Sequence, residues 1–437
     1  MKSHSSAYKE KLMAPEKAVQ KINNGDLIVH GTTVAEPPAL LAAIANRARR
    51  GALRDIRIYS FNPGKTAQNT YLVPDLCDCI QAYSWFVSRA NRSQSAVGLT
   101  QFIPSYLHQA PRFIKENMKV DVAITTVSPM DKAGFFTFGT ANDFTSTAAR
   151  ESKTLIVEVN RNMPRVFGDS LINISEVDAV VENHVPLIPT SLPEPKPEDS
   201  IIGKEIAELI PDEAVLQLGI GNLPNAITPY LTDHNDLGIH TELFGPGMVE
   251  LIRKGVINGV KKTLHPRKHV FSVAYGTQDT FEFMNDNPSL ESYPSSYVMD
   301  PRVIAKNDNM VAINSILEVD LTGQCNAEQL AGFQYSGTGG QLDFVRGAYA
   351  ARGGLSIMAF YSTATVRNRP VSRVVACLQS GAAVTTPRND TQYLATEYGV
   401  VNLKQKSVGE RAEAIISIAH PMFRDDLMKK ALRMGLM

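Results

Sequence analysis

The chain has 437 residues, 43% of them hydrophobic and 20% charged, which excludes a disordered or fibrous protein and leaves room for two domains. Lysine plus arginine and aspartate plus glutamate both total 44, so the formal net charge is zero and nucleic acid is not an expected partner. No segment has the uninterrupted apolar length of a membrane helix, so no membrane is expected either.

The amino terminus, MKSHSSAYKEKLMAPEKAVQKI, is polar and helix-prone. It lacks the apolar run and cleavage site of a secretory signal, which predicts a cytoplasmic protein. The four cysteines suit a reducing compartment: Cys77 and Cys79 are close neighbours, Cys325 and Cys377 stand alone, and all are expected to be buried as small hydrophobes. Short β-branched runs then alternate with helical stretches, as in GDLIVHG, PPALLAAIANRARRG, DIRIYS and later VDVAITTVS, which predicts an α/β fold. VPLIPTSLPEPKPEDS, from Val185 to Ser200, concentrates proline and charge. Such spacers are extended and semi-rigid, so the domain boundary is placed there, between halves 1–190 and 200–437. LIVHGTTVAEPPALLAAI from Leu27 and VLQLGIGNLPNAITPYL from Val215 both read strand, glycine turn, proline and helix, a pattern that suggests two similar halves. Strand–turn–helix units recur in all α/β proteins, so coincidence also accounts for it.

Several stretches are candidates for chemistry. Gly219-Ile220-Gly221 stands at a strand end, where backbone N–H groups and a helix start can receive an anion. It is not a dinucleotide fingerprint, because the third glycine position is Pro224. Alone, such a loop is more often a tight turn. A second glycine cluster, QYSGTGGQLDF from Gln334 to Phe344, permits close approach of backbone to a flat or anionic ligand, or is simply a mobile loop. SPMDKAGFFTFG, from Ser128 to Gly139, reads as a strand end and turn, either structural or lining a cleft. PGKT at Pro63–Thr66 fails as a phosphate loop because the leading glycine position is Tyr59. His265 and His269 share helical spacing, but Pro266 stands where a zinc protease needs glutamate, so no metal is expected. Neither a G-x-S-x-G elbow nor a C-x-x-C pair is present.

GIHTELFGPGM, from Gly238 to Met248, sets one carboxylate, Glu242, among apolar and small residues behind a His240-Thr241 pair. An unpaired buried carboxylate is costly, so this one needs a structural partner or a chemical use. By residue chemistry alone a strand-end glutamate is more often structural, paired with a cation or with backbone N–H groups.

The order of motifs resembles the acetyl-CoA hydrolase/transferase family, in its 4-hydroxybutyrate and butyryl-CoA:acetate CoA-transferase branch. The likeness runs through nearly the whole chain, in EPPALLAAI, VDVAITTVSPMDKAGFFTFGTANDF, VEVNRNMPRVFGD, LGIGNLPNAI, GIHTELF, INSILEVDLTGQCN, QYSGTGGQLDFVRGA, TEYGVVNL and IAHPMFRDDL. The resemblance implies two similar open α/β domains of the class I CoA-transferase type with the active site between them. It implies a homo-oligomer, a dimer or larger. It also implies acyl-CoA and small carboxylates as substrates, with coenzyme A as substrate and no permanently bound cofactor.

In that family the glutamate of the HTE motif becomes a γ-glutamyl-CoA thioester, and the matching residue is Glu242. With an ordinary pKa of about 4.3 it would be ionised near neutrality and would attack without a separate base. By the same resemblance, Gly219, Ile220, Gly221, Asn222 and Leu223, then Gly337, Gly339 and Gly340, frame the CoA and thioester site, and Asn314 is a further contact. Backbone N–H groups of the Gly219–Leu223 turn are the expected oxyanion donors.

Two departures stand out. Gly245-Pro246-Gly247 replaces a serine-aspartate-glycine run, and Asn222 stands where glycine is usual. Both are expected to remodel the acid pocket. Acetate, butyrate, 4-hydroxybutyrate, succinate and itaconate all fit the resemblance, with a short-chain acid ranked first and a dicarboxylate such as itaconate second. A hydrolase of the same family is the alternative activity; a sugar-phosphate isomerase or effector-binding module on a related fold is the alternative from another class.

Overall fold

The β-branched runs of the first half become seven parallel strands. The computed structural model describes residues 3–190, 194–219 and 221–437. Across this first sheet the order is Ala179–Glu182, Thr154–Val159, Val122–Val127, Leu27–His30, Ile56–Ser60, Ile80–Ser84 and Thr100–Phe102. Every neighbouring pair is parallel. Val122–Val127 is buried at each position, as expected of a central parallel strand with both faces covered.

The second sheet runs Gly399–Asn402, Tyr393–Thr396, Leu355–Ala359, Met310–Ser315, Val215–Leu218, Gly238–Phe244, His269–Ala274, Leu290–Ser292 and Phe167–Gly168. Its one antiparallel pairing joins the first two of these. The short strand Phe167–Gly168 comes from the first half of the chain and pairs in parallel with Leu290–Ser292, through Glu291 opposite Phe167. That exchange stitches the halves together.

Local chemistry explains where the elements begin and end. The helix Pro38–Arg49 opens with proline in its first turn, where no N–H is needed. The buried carboxylate of Glu158 accepts the next two amides, Ala39 at 3.3 Å and Leu40 at 3.0 Å. The helix buries Leu40, Leu41 and Ile44 among others, and each such side chain contributes about 1.5–3 kcal/mol. It stops at Gly51, whose φ of +72° suits glycine, while the Ala52 N–H donates back to the Arg47 carbonyl.

The two echoed segments adopt the same local path. Leu27–His30 leads through a turn to Pro38–Arg49, and Val215–Leu218 leads to the shorter helix Asn222–Ala226; both strands are interior to their sheets. Between the sheets lies one shared apolar layer. Leu27, Val29 and Val157 from the first sheet, Val215 and Met310 from the second, and Phe344 all belong to it.

The cysteines depart from expectation. Cys325 is buried, but Cys77 and Cys377 are exposed and Cys79 is half-buried, all four as free thiols. Cys77 ends a short helical turn at the surface, so no core face claims it. Among the described residues no helix is long and apolar enough to cross a membrane.

Candidate active site

Glu242 lies near the carboxyl end of the strand Gly238–Phe244, flanked by Val215–Leu218 and His269–Ala274. The preceding residues of the strand are fully buried, whereas Glu242 and Leu243 are half-buried and open onto a cavity of about 350 Å³. Ligand clefts of α/β folds form at the carboxyl ends of such strands.

One oxygen of Glu242 is held and the other is not. Its Oε2 accepts the Gly340 N–H at 2.9 Å, and no donor among the described residues reaches Oε1. A Cβ at position 340 would stand 2.4 Å from Oε2 and would force the Glu242 carboxylate to shift. Burial pushes the Glu242 carboxyl up to about 7, and the negative charges of Asp343 and Asp143 add to the rise; the Gly340 N–H opposes it. Those two acids are themselves buried, Asp343 against His108 at 2.8 Å and Asp143 under the hydroxyls of Thr32 and Thr145. The carboxyl is thus raised above the ordinary value of about 4.3 assumed from the sequence.

His240 plays a structural part. Its Nε2 lies 2.8 Å from the Val298 carbonyl, and burial, with the nearby Lys262 charge, pushes the imidazole down to about 3. It stays neutral and pins the strand beneath Glu242.

The structure gathers most of the expected residues at this cavity. Gly219, Gly221, Asn314, Gly337, Gly339 and Gly340 line it together with Glu242. The Asn314 side chain is fixed by a reciprocal amide pair with Gln217, at 3.0 and 3.2 Å. Others differ. The Gly219 N–H already donates to the Ile313 carbonyl at 2.8 Å, so it is not available to an oxyanion. The side chain of Leu223 is buried in the apolar core, because the helix turns that face inward. Ile220 lies outside the described residues, as does the side chain of Asn222.

Gly245-Pro246-Gly247 does not line the cavity. It starts the helix Pro246–Arg253, where a Cβ on Gly245 would meet the Tyr275 ring at 3.0 Å and one on Gly247 would meet Thr228 at 2.8 Å. This departure serves helix packing. Its reach toward the site is indirect, through the Tyr275 hydroxyl, the Asn225 amide at 3.0 Å and the Gly221 carbonyl 2.7 Å beyond. The Ser128–Gly139 stretch is a turn held by Asp131, whose carboxylate accepts the Ala133 and Phe135 N–H groups, and it too is absent from the cavity wall.

Phe86, Arg92 and Gln217 are among the wall residues that the sequence did not assign to the site. An amide inside the apolar run VLQL was a usable signal for Gln217. Phe86 and Arg92 come from the first half of the chain and carry no local pattern. The guanidinium carbon of Arg92 stands over the Tyr335 ring, 3.6 Å from its centre, and Nε donates to the Tyr335 carbonyl at 3.0 Å. The cavity is thus walled by both halves.

Residues 1–189 match the acetyl-CoA hydrolase/transferase N-terminal domain, and residues 276–431 match the C-terminal domain of the same family. The chain belongs to the acetyl-CoA hydrolase/transferase family. It is similar to the 4-hydroxybutyrate coenzyme A transferase of Clostridium kluyveri, 43% identical over 97% of each chain. It is 41% identical to the succinyl-CoA:cyclohexane-1-carboxylate CoA transferase of Geobacter metallireducens, over 99% of this chain and 98% of that one. Among solved structures, RipA from Yersinia pestis superposes with a TM-score of 0.96 at 48% identity, covering 100% of both chains. This family member is an enzyme, a CoA-transferase, with two α/β halves around one cleft.

Proposed function

We propose that the enzyme moves CoA from a short acyl-CoA to a small carboxylic acid by a ping-pong mechanism through a γ-glutamyl-CoA thioester on Glu242. The observation that carries this reading is the half-held carboxylate. One oxygen is anchored by Gly340 and the other is available to the cavity, in a site where burial weakens solvation of the charge and so favours attack.

In the first half-reaction the Glu242 carboxylate attacks the thioester carbonyl; the C–S bond breaks, and an acyl–glutamyl anhydride and CoA thiolate result. The thiolate then attacks the glutamyl carbonyl. The anhydride C–O bond breaks, the first acid leaves as a carboxylate, and CoA stays bonded to Glu242. A second carboxylate runs the same steps in reverse and departs as its CoA thioester. Each attack on the glutamyl carbonyl builds charge on an oxygen beside the Gly340 N–H, which is already in place to stabilise it.

The named relatives act on acids as different as 4-hydroxybutyrate and cyclohexane-1-carboxylate, so the fold tolerates varied acids. For this enzyme a short-chain acid is the leading substrate and a dicarboxylate such as itaconate the second. A homo-oligomer belongs to the same proposal, and light scattering counts its copies. The mechanism is tested by incubating the enzyme with acyl-CoA, reducing with borohydride and sequencing peptides by mass spectrometry. Modification of the peptide containing Glu242 is the expected result. Transfer through a ternary complex, without any adduct at Glu242, sinks the reading.

A further inference from the structure

Among the described residues that line the cavity, two carry a formal charge, Glu242 and Arg92. They stand on opposite halves of the chain, Glu242 on a strand of the second sheet and Arg92 at the start of the helix Arg92–Ala96. With Glu242 ionised, the wall is neutral in sum. Once Glu242 carries CoA as a thioester its charge is gone, and Arg92 leaves the wall with a charge of plus one. That is the state an anionic acid has to enter.

Arg92 is also prepared to receive it. The Tyr335 ring supports the face of the guanidinium at 3.6 Å, and the bond from Nε to the Tyr335 carbonyl at 3.0 Å sets its direction. Among the described residues no carboxylate pairs with its two terminal nitrogens. The buried Glu328 carboxylate is engaged elsewhere and accepts the Thr338 hydroxyl at 3.1 Å and the Gln334 side-chain amide at 3.5 Å. A planar guanidinium with a free edge matches a carboxylate better than an ammonium would.

We propose that Arg92 receives the carboxylate of the entering acid and acts chiefly in the half-reaction in which Glu242 is a neutral thioester. This rests on the glutamyl-thioester reading above. The CoA phosphates present related oxygen anions, so the experiment separates the two sources by measuring each half-reaction.

CoA-loaded enzyme is prepared for wild type, Arg92→Gln and Arg92→Lys, and its unloading by acetate or butyrate is followed, alongside KM for acetyl-CoA in loading. In Arg92→Gln the kcat/KM for the acid is expected to fall about ten- to a hundredfold, the effect of one charge-assisted hydrogen bond. Arg92→Lys recovers part of it, and KM for acetyl-CoA stays within about twofold. Added salt slows unloading in wild type but not in Arg92→Gln, because only a charged acceptor is screened. An unchanged acid dependence overturns the proposal. So does a loss confined to KM for acetyl-CoA, which reassigns Arg92 to the CoA phosphates. Equal losses of kcat/KM for the acid in Arg92→Gln and Arg92→Lys also overturn it, since the lack of any recovery by a second cation indicates support of the Tyr335 loop alone. Failure of wild type to load CoA on Glu242 is visible before any variant is made, and it refutes the thioester reading instead.

Discussion

Glu36, in the first-half turn, and Glu242, beside the second-half turn, share one electrostatic property and differ in everything that follows from it. Burial pushes both carboxyls up to about 7. Glu36 is 3% exposed, and both of its oxygens are taken, Oε1 by the Gly64 N–H at 2.7 Å and Oε2 by the Ala67 N–H at 3.2 Å. It tethers the start of the helix Lys65–Thr70 from within the protein. Glu242 has one amide and an open oxygen facing a cavity that holds about 350 Å³. A raised carboxyl pKa therefore marks burial; an unengaged oxygen in a cleft marks the group able to react.

The sharpest test of this contrast is Glu242→Ala. Transfer should fall by about a thousandfold or more, since removal of a covalent nucleophile leaves only binding and oxyanion stabilisation, while thermal unfolding changes little. A variant that keeps a tenth of the wild-type rate breaks the comparison. Next is Gly340→Ala, whose Cβ displaces the Glu242 carboxylate and its amide donor. A loss on the order of a hundred- to a thousandfold in kcat is expected, with acyl-CoA affinity largely kept.

A third outcome concerns pH. The ionised form of Glu242 attacks, so single-turnover loading should rise as pH passes through about 7 and level off above it. Between pH 6 and pH 8 the gain is about tenfold. A flat profile over that range returns Glu242 to an ordinary carboxylate and removes the electrostatic half of the comparison.

The smallest effect belongs to Glu36→Gln, which leaves one amide N–H facing an amide donor. It should destabilise the fold by about 1–3 kcal/mol while CoA loading on Glu242 persists. Because the folded-state pKa of Glu36 is raised, its contribution to stability is full below about 4.5 and is lost as pH rises through about 7. The penalty measured by urea unfolding should accordingly be larger at pH 5 than at pH 8.

What was legible in the chain was what neighbours in sequence decide. Runs such as VDVAITTVS and PPALLAAIANRARRG announce buried parallel strands and amphipathic helices, because apolar periodicity and turn residues act over a few positions. Gly219, Gly221, Asn314 and the Gly337–Gly340 cluster were found with Glu242 by an ordered series of motifs, and they do meet at one cavity. The Gly219 amide was misjudged because its partner, the Ile313 carbonyl, lies on a strand far along the chain.

Only the tertiary structure could say which carboxylate has an oxygen to spare. Glu36 and Glu242 are both single acids in small, apolar surroundings, and both border a cavity, of about 120 and 350 Å³; what separates them is the second amide, which occupies the last oxygen of Glu36 and is missing at Glu242. The same holds for Arg92, one arginine in the polar stretch ANRSQS until packing of the halves lays it on Tyr335. Secondary structure follows from short-range sterics and periodicity, which the sequence by itself determined. Charge placement, desolvation and the occupancy of each hydrogen-bonding group depend on residues 28 to 243 positions apart in these contacts, and those the folded chain decided.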